Sequence, residues 1–235
     1  MRLYEEIVFQ WQQLLEGFEV KKLPVVSPGW EDSGSRNMVL RSDMAFELGG
    51  EGLPALGATA VTEESMLRDE IWLCGPDLGE IHGDAPYARL TVAGVQKGLP
   101  DGGSALYQAI KRIDFVRFHV NPQGFMSRIS TLRGRESVRV SREALRQGMN
   151  FSQVGSRMLE SYHENPKIKA VRLIYITDPA FPFEKLAETV KMCQDVTRAI
   201  DHAMTAPMTD CNVCSLKKVC DEVEGIRELH FGKKE

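Results

Sequence analysis

The feature that most constrains the fold is a short apolar run followed directly by a long amphipathic segment. Val171 to Ile176 is almost continuously apolar, which is typical of a central β-strand that is buried on both faces. After a breaker at Asp178 to Pro182, apolar side chains recur at alternating steps of three and four residues, and this spacing predicts a helix that ends before Pro207. The members of this stripe are Phe183, Leu186, Val190, Cys193, Thr197, Ile200 and Met204. The two segments together predict a sheet with a helix packed on it.

The rest of the chain adds further strands and helices in mixed order. Apolar spacing predicts helices over Leu3 to Phe18, from Ser104, from Ser141, and over Phe151 to Tyr162. Short apolar runs predict strands at Asn37–Leu40, Met44–Leu48, Glu70–Cys74 and Ser137–Val140, and alternation predicts one at Tyr87–Val95. The glycines between Gly49 and Gly57 predict a loop. We therefore predict an α+β domain over residues 1–206, with a mixed sheet and flanking helices, followed by a cysteine-rich tail over residues 207–235.

Composition narrows the class of protein. The chain has 235 residues and a net charge of −4, which favours neither nucleic acid nor an anionic membrane as a partner. No apolar run approaches the length of a membrane span, and Glu5 and Glu6 are unlike a targeting peptide. The odd number of cysteines, five, fits a reducing compartment. We expect a cytoplasmic protein.

Cysteines crowd the tail. Cys211, Cys214 and Cys220 lie close together and His230 follows, which is a set of donors that can surround one metal centre. Three thiolates and an imidazole suit structural zinc, and they also suit a [4Fe-4S] cluster, so the spacing leaves both open. Cys74, at a strand end, and Cys193, on the helical stripe, are alternative fourth ligands, although a core position is the commoner one for such cysteines.

Arginines concentrate between Ser127 and Gln147. This band contains Arg128, Arg133, Arg135, Arg139, Arg142 and Arg146. A guanidinium binds phosphate oxygens in bidentate fashion, so the band could hold a phosphorylated ligand such as coenzyme A, or it could be a surface paired with carboxylates. His119 and His163 are isolated in sequence and are expected to be structural or exposed.

Four segments in consistent order resemble acetyl-CoA synthase, the β subunit of the carbon monoxide dehydrogenase/acetyl-CoA synthase complex. They are Phe46 to Gly50, Ile71 to Leu78, Arg139 to Ala144, and the cysteine tail, and the similarity runs from about Ser33 to His230. The resemblance covers the middle domain of that family and the start of its cluster-bearing domain. It implies a role in acetyl-CoA and carbon monoxide metabolism of an anaerobe.

The resemblance also implies roles for individual residues. Cys211 and Cys214 match the first pair of cubane ligands of the family's A-cluster, Cys220 matches the third after a shorter gap, and His230 stands where the fourth cysteine would be. Coenzyme A binding in the family's middle domain carries over to Arg128, Arg133, Arg135 and Arg139, although Met126 stands near the position of the family's tryptophan.

The family's nickel ligands, a Cys-Gly-Cys segment, have no counterpart before Glu235, so we do not expect this chain to make acetyl-CoA alone. The resemblance predicts instead a module that binds an iron-sulfur cluster. Its expected partners are carbon monoxide dehydrogenase or corrinoid protein subunits. A structural zinc interaction module and a cluster-dependent redox enzyme remain alternatives.

Overall fold

The computed structural model describes residues 3–63, 68–96, 104–130, 135–205 and 213–222. Within them, an eight-stranded mixed sheet is flanked by helices, which confirms the predicted α+β class. The strands are β1 (Val20–Leu23), β2 (Met44–Leu48), β3 (Ala55–Thr62), β4 (Glu70–Cys74), β5 (Tyr87–Val95), β6 (Phe125–Ser130), β7 (Arg135–Ser141) and β8 (Ile168–Ile176). The helices are α1 (Glu5–Leu15), α2 (Ser104–His119), α3 (Arg142–Arg146), α4 (Phe151–His163), α5 (Phe183–Thr205) and α6 (Lys217–Glu222).

The strand order across the sheet is β1-β4-β8-β5-β3-β7-β2, and β6 pairs with β7. The pairs β4/β8 and β3/β5 are parallel, whereas β8 and β5 are antiparallel to each other. Every residue of β5 is buried, so both faces of the sheet are covered at its centre. The apolar run at the end of β8 thus lies in an inner strand, as the sequence predicts.

Side chains on the helices close the two sides of the core. Phe151 at the start of α4 stacks on Tyr175 of β8 with ring centroids 4.4 Å apart, and Gly155 of α4 lies directly against Ile71 of β4. Helix α1 packs on α5, where the Trp11 indole donates a hydrogen bond of 2.9 Å to the Thr189 hydroxyl. Helix α5 contacts β3. None of the described helices is long and apolar enough to cross a membrane.

Most predicted elements are confirmed, but the boundaries of some strands differ. The prediction of a strand at Asn37–Leu40 is wrong, because this segment pairs with no strand in the described structure. The predicted loop at residues 49–57 ends early, since β3 begins at Ala55. The sequence pattern does not predict strands β1, β3 and β6; β1 has only four residues, and Phe125 and Met126 are adjacent apolar residues in β6 rather than alternating ones. The domain boundary at residue 206 stays a prediction.

Candidate functional site

The described part of the cysteine tail is a turn followed by the short helix α6. The Lys217 N–H donates to the Cys214 carbonyl at 3.1 Å, and the Cys220 N–H donates to the Leu216 carbonyl at 3.0 Å. These bonds place Cys214 just before the helix and Cys220 within it. Both side chains are half-buried and neither is in a disulfide. The two thiols therefore belong to one compact unit and remain partly accessible.

Helix α6 is anchored to the rest of the protein. It contacts α5, and Val219 and Cys220 pack against the edge of the hydrophobic core. Cys211 and His230, the other two predicted ligands, lie outside the described residues. Among the described residues, no group of three or more cysteine, histidine, aspartate or glutamate side chains is close enough to hold a metal ion. The tetrahedral set predicted from the sequence thus stays a prediction.

The two remaining cysteines are core residues. Cys74 and Cys193 are completely or almost completely buried, and the Cys193 thiol donates to the Thr59 carbonyl at 3.3 Å. Burial raises the pKa of the Cys74 thiol to about 11, with a smaller contribution from Asp178. Burial raises the pKa of Cys193 as well, and Asp114 adds to the effect. Since a metal ligand must be a thiolate, both positions are much poorer sites for a metal than the tail.

The predicted coenzyme A arginines have partners within the protein. Arg128 and Arg139 both approach Glu47, at 3.0 and 3.4 Å, and Arg128 is about half exposed. Met126 lies opposite Arg139 in the pairing of β6 with β7. This part of the band is the carboxylate-paired surface that the sequence left open as an alternative. Arg133 lies outside the described residues.

Arg135 has a different role. Its guanidinium donates to the carbonyls of Gly49, Gly50 and Leu53, at 2.5, 2.8 and 3.2 Å. These bonds hold the glycine-rich turn that joins β2 to β3. Because its donors already satisfy backbone acceptors, Arg135 is a structural residue in this structure.

The C-terminal end of the arginine band lines a groove of about 750 Å3 that the sequence did not predict. One wall is α3, which supplies Arg142, Glu143 and Arg146, and the other wall is the segment from Glu31 to Asp43. Ser141 caps α3 by accepting hydrogen bonds from the Glu143 and Ala144 N–H groups, as the sequence predicts. The groove joins parts of the chain that are a hundred residues apart in sequence, as in the bond from Arg142 to the Ser42 carbonyl.

A buried ion-pair network is the second feature that the sequence did not predict. Arg89 is completely buried in β5, and its guanidinium makes two hydrogen bonds, of 2.6 and 2.8 Å, to Glu136 of β7. Arg117 of α2 approaches the same carboxylate at 3.7 Å and Asp114 at 3.0 Å. Burial alone would lower the pKa of Arg89, but the Glu136 carboxylate outweighs this and raises the pKa well above its ordinary value. The sequence feature that could have indicated this network is Arg89, a charged residue within a predicted strand that is mostly apolar.

His119 and His163 lie apart from each other in the described structure. The His119 ring lies on Phe115 with centroids 3.9 Å apart at the exposed end of α2. His163 pairs with Asp69 at 2.9 Å on the surface. Both are structural or exposed, as predicted.

Comparison of the chain with models of known protein families gave no match, and comparison with curated proteins gave no significant match.

Proposed function

We propose that this protein is an acetyl-CoA synthase-like module that carries a [4Fe-4S] cluster on Cys211, Cys214, Cys220 and His230. It would serve acetyl-CoA or carbon monoxide metabolism in the cytoplasm, with carbon monoxide dehydrogenase or corrinoid protein subunits as partners. The observation that supports the proposal best is the contrast among the cysteines. Cys214 and Cys220 share one partly accessible turn-and-helix unit, whereas Cys74 and Cys193 are buried in the core.

The donor set fits this cofactor. Thiolate sulfur binds iron in clusters and also binds zinc, and one imidazole ligand is compatible with either centre. A bound cluster would supply electron transfer, and the cysteines would hold it beside α6, which contacts α5. The coenzyme A assignment to Arg128, Arg133, Arg135 and Arg139 rests on the arginine band in the sequence and on the resemblance. The described members of the set bind Glu47 or backbone carbonyls.

The test is the metal and acid-labile sulfide content of anaerobically purified protein, measured together with its ultraviolet-visible spectrum. We expect iron and sulfide in near-equal amounts and a broad charge-transfer band. Cys214→Ser and Cys220→Ser should each lose most of the iron, because each removes one ligand. Cys193→Ala is the matched control, and it should keep the full content because Cys193 is a core residue.

The outcomes separate the alternatives. Stoichiometric zinc without iron, lost in the same two variants, would favour the structural zinc module over the cluster. A protein that binds neither metal after anaerobic reconstitution would contradict both. Iron that is retained in Cys214→Ser and lost in Cys193→Ala would show that a ligand lies in the core rather than in the tail, and would contradict the proposal.

A further inference from the structure

Strand β6 forms an open edge of the sheet. It pairs with β7 alone, in an antiparallel ladder that begins with the hydrogen bond from the Ser141 N–H to the Gly124 carbonyl. In an antiparallel pair, alternate residues direct their N–H and C=O groups toward the neighbouring strand. Counted from Gly124, the backbone groups of Phe125, Ser127 and Ile129 therefore point away from β7.

The first part of this outer edge is covered, and the rest is not. The Phe125 N–H donates to the Pro122 carbonyl at 2.9 Å, and the Phe125 carbonyl accepts a hydrogen bond of 2.9 Å from the Asn37 side chain. Within the described part of the chain, the backbone groups of Ser127 and Ile129 have no hydrogen-bond partner. Two donors and two acceptors thus stand in a regular row along the edge.

The other outer strand of the sheet is better protected. Proteins commonly guard an edge strand against pairing by keeping it short and by placing lysine on it. Strand β1 has four residues and exposes Lys21 and Lys22. Strand β6 has six residues, and its one charged side chain, Arg128, is already paired with Glu47 at 3.0 Å. The β6 edge therefore lacks the protection that β1 has.

We propose that β6 joins two copies of this chain, by antiparallel pairing about a two-fold axis at Arg128. In this register Ser127 of each copy faces Ile129 of the other, so the two pairs exchange four hydrogen bonds and use every open backbone group. A register shifted by two residues toward Phe125 is blocked, because the Asn37 side chain occupies the edge there. The row of open groups is thus complementary to itself.

The side chains are compatible with this register. Arg128 would stand opposite the partner's Arg128, which alone would be unfavourable. Glu47 lies 3.0 Å from Arg128 and 3.4 Å from Arg139 in each copy, so two carboxylates flank the axis and offset the repulsion. On the opposite face of the strand, the half-buried Ile129 would be covered further by the partner's β6. This inference does not depend on the metal content of the tail.

Sedimentation velocity over a range of protein concentrations tests for the dimer. Ile129→Pro should weaken dimerisation about thirtyfold, because it removes one N–H donor from each copy and hence two hydrogen bonds from the dimer. The Ile129 N–H has no partner in the single chain, so proline at this edge position should leave the fold intact. Ile129→Val keeps the donor and is the matched control, which should dimerise like the wild type. Thermal unfolding followed by circular dichroism checks that both variants are folded.

Cross-linking tests the register. Position 128 would face its own copy across the axis, at the short Cα separation of a pair without mutual hydrogen bonds. Arg128→Cys should therefore form an intermolecular disulfide under mild oxidation. Met126→Cys is the control, because position 126 would face the partner's Ser130 and lie too far from its own copy to be bridged. Mass spectrometry of unreduced proteolytic fragments distinguishes this disulfide from any that the tail cysteines form.

Hydrogen exchange followed by NMR supplies a direct readout of the edge. Exchange at the Ser127 and Ile129 amides should slow as the protein concentration rises. Three results would overturn the inference. One is a monomer at every concentration, which would leave the edge to a strand of a different protein. Another is a dimer that Ile129→Pro does not weaken, and the third is cross-linking of Met126→Cys as readily as of Arg128→Cys.

Discussion

Gly57 lies where the buried ion pair leaves no room for a side chain. It lies in β3, where a Cβ atom would stand 2.1 Å from the Glu136 Oε2 atom and 2.9 Å from the Glu136 Cβ atom. The carboxylate cannot move away easily, because Arg89 holds it with two hydrogen bonds. The sequence predicts a loop around this glycine. The structure shows that Gly57 leaves space for the side chain of Glu136, which lies seventy-nine positions later in the chain.

Gly57→Ala should lower the free energy of unfolding by about 2 kcal/mol, because it overpacks the site of a buried ion pair. Urea denaturation followed by fluorescence measures this change. Gly83→Ala is the control, since no atom lies within 4 Å of its Cβ position and its φ angle needs no glycine. It should be neutral or stabilise the protein by about 0.5 kcal/mol, because alanine restricts the unfolded chain. Equal stability of the two variants would mean that Glu136 does not occupy this space.

A helix or strand could be predicted from the sequence when the residues that determine it lie within the element or next to it. Helix α5 follows from its own apolar stripe, and its N-terminal boundary is set by the preceding breaker and Phe183. Strand β3 was missed because the glycines up to Gly57 predict a loop and its alanines are poor strand formers. The strand forms because β5 pairs with it along all eight residues. Asn37–Leu40 shows the reverse case. Its apolar sequence is typical of a strand, but the Val39 N–H donates to the Met126 side chain rather than to the backbone of a neighbouring strand.

The elements that carry the cysteines should determine how fast each thiol reacts. In metal-free protein, Cys214 should be alkylated by iodoacetamide within minutes, since the residue is partly exposed. Cys74 in β4 and Cys193 in α5 should react orders of magnitude more slowly, because both are buried and burial raises their pKa values.

Mass spectrometry of proteolytic fragments gives the rate at each cysteine. Unfolding in urea serves as the control, since all thiols should then react at similar rates. Rapid modification of Cys193 in the native protein would show that α5 does not pack on β3 as described here.

At the scale of the whole molecule, the parts that were predictable are those that depend on neighbours in sequence. The tail cysteines could be recognised as one group because a few residues separate them. The groove beside α3 and the Arg89–Glu136 pair could not, because each is assembled from segments that only the fold brings together. Glu136 interacts with both β5 and α2, so one carboxylate connects the centre of the sheet, its β7 side and a helix.

Removal of the Glu136 carboxylate should therefore lower the free energy of unfolding by more than removal of an exposed carboxylate would. Glu136→Gln should lower the free energy of unfolding by about 3 kcal/mol, because it leaves Arg89 buried without a countercharge. The exposed pair of Arg146 with Glu143 is the matched control, and Glu143→Gln should change stability by no more than about 0.5 kcal/mol. Chemical denaturation measures both.

The double variant Arg89→Met with Glu136→Leu decides between two origins of that loss. If the cost comes from an unpaired buried charge, replacing both partners with apolar side chains should recover most of the stability, while Arg117 keeps Asp114 as its partner. If the double variant is instead as unstable as Glu136→Gln, the ion pair itself holds β7 and α2 against the sheet. The buried arginine would then specify the fold rather than merely be tolerated within it.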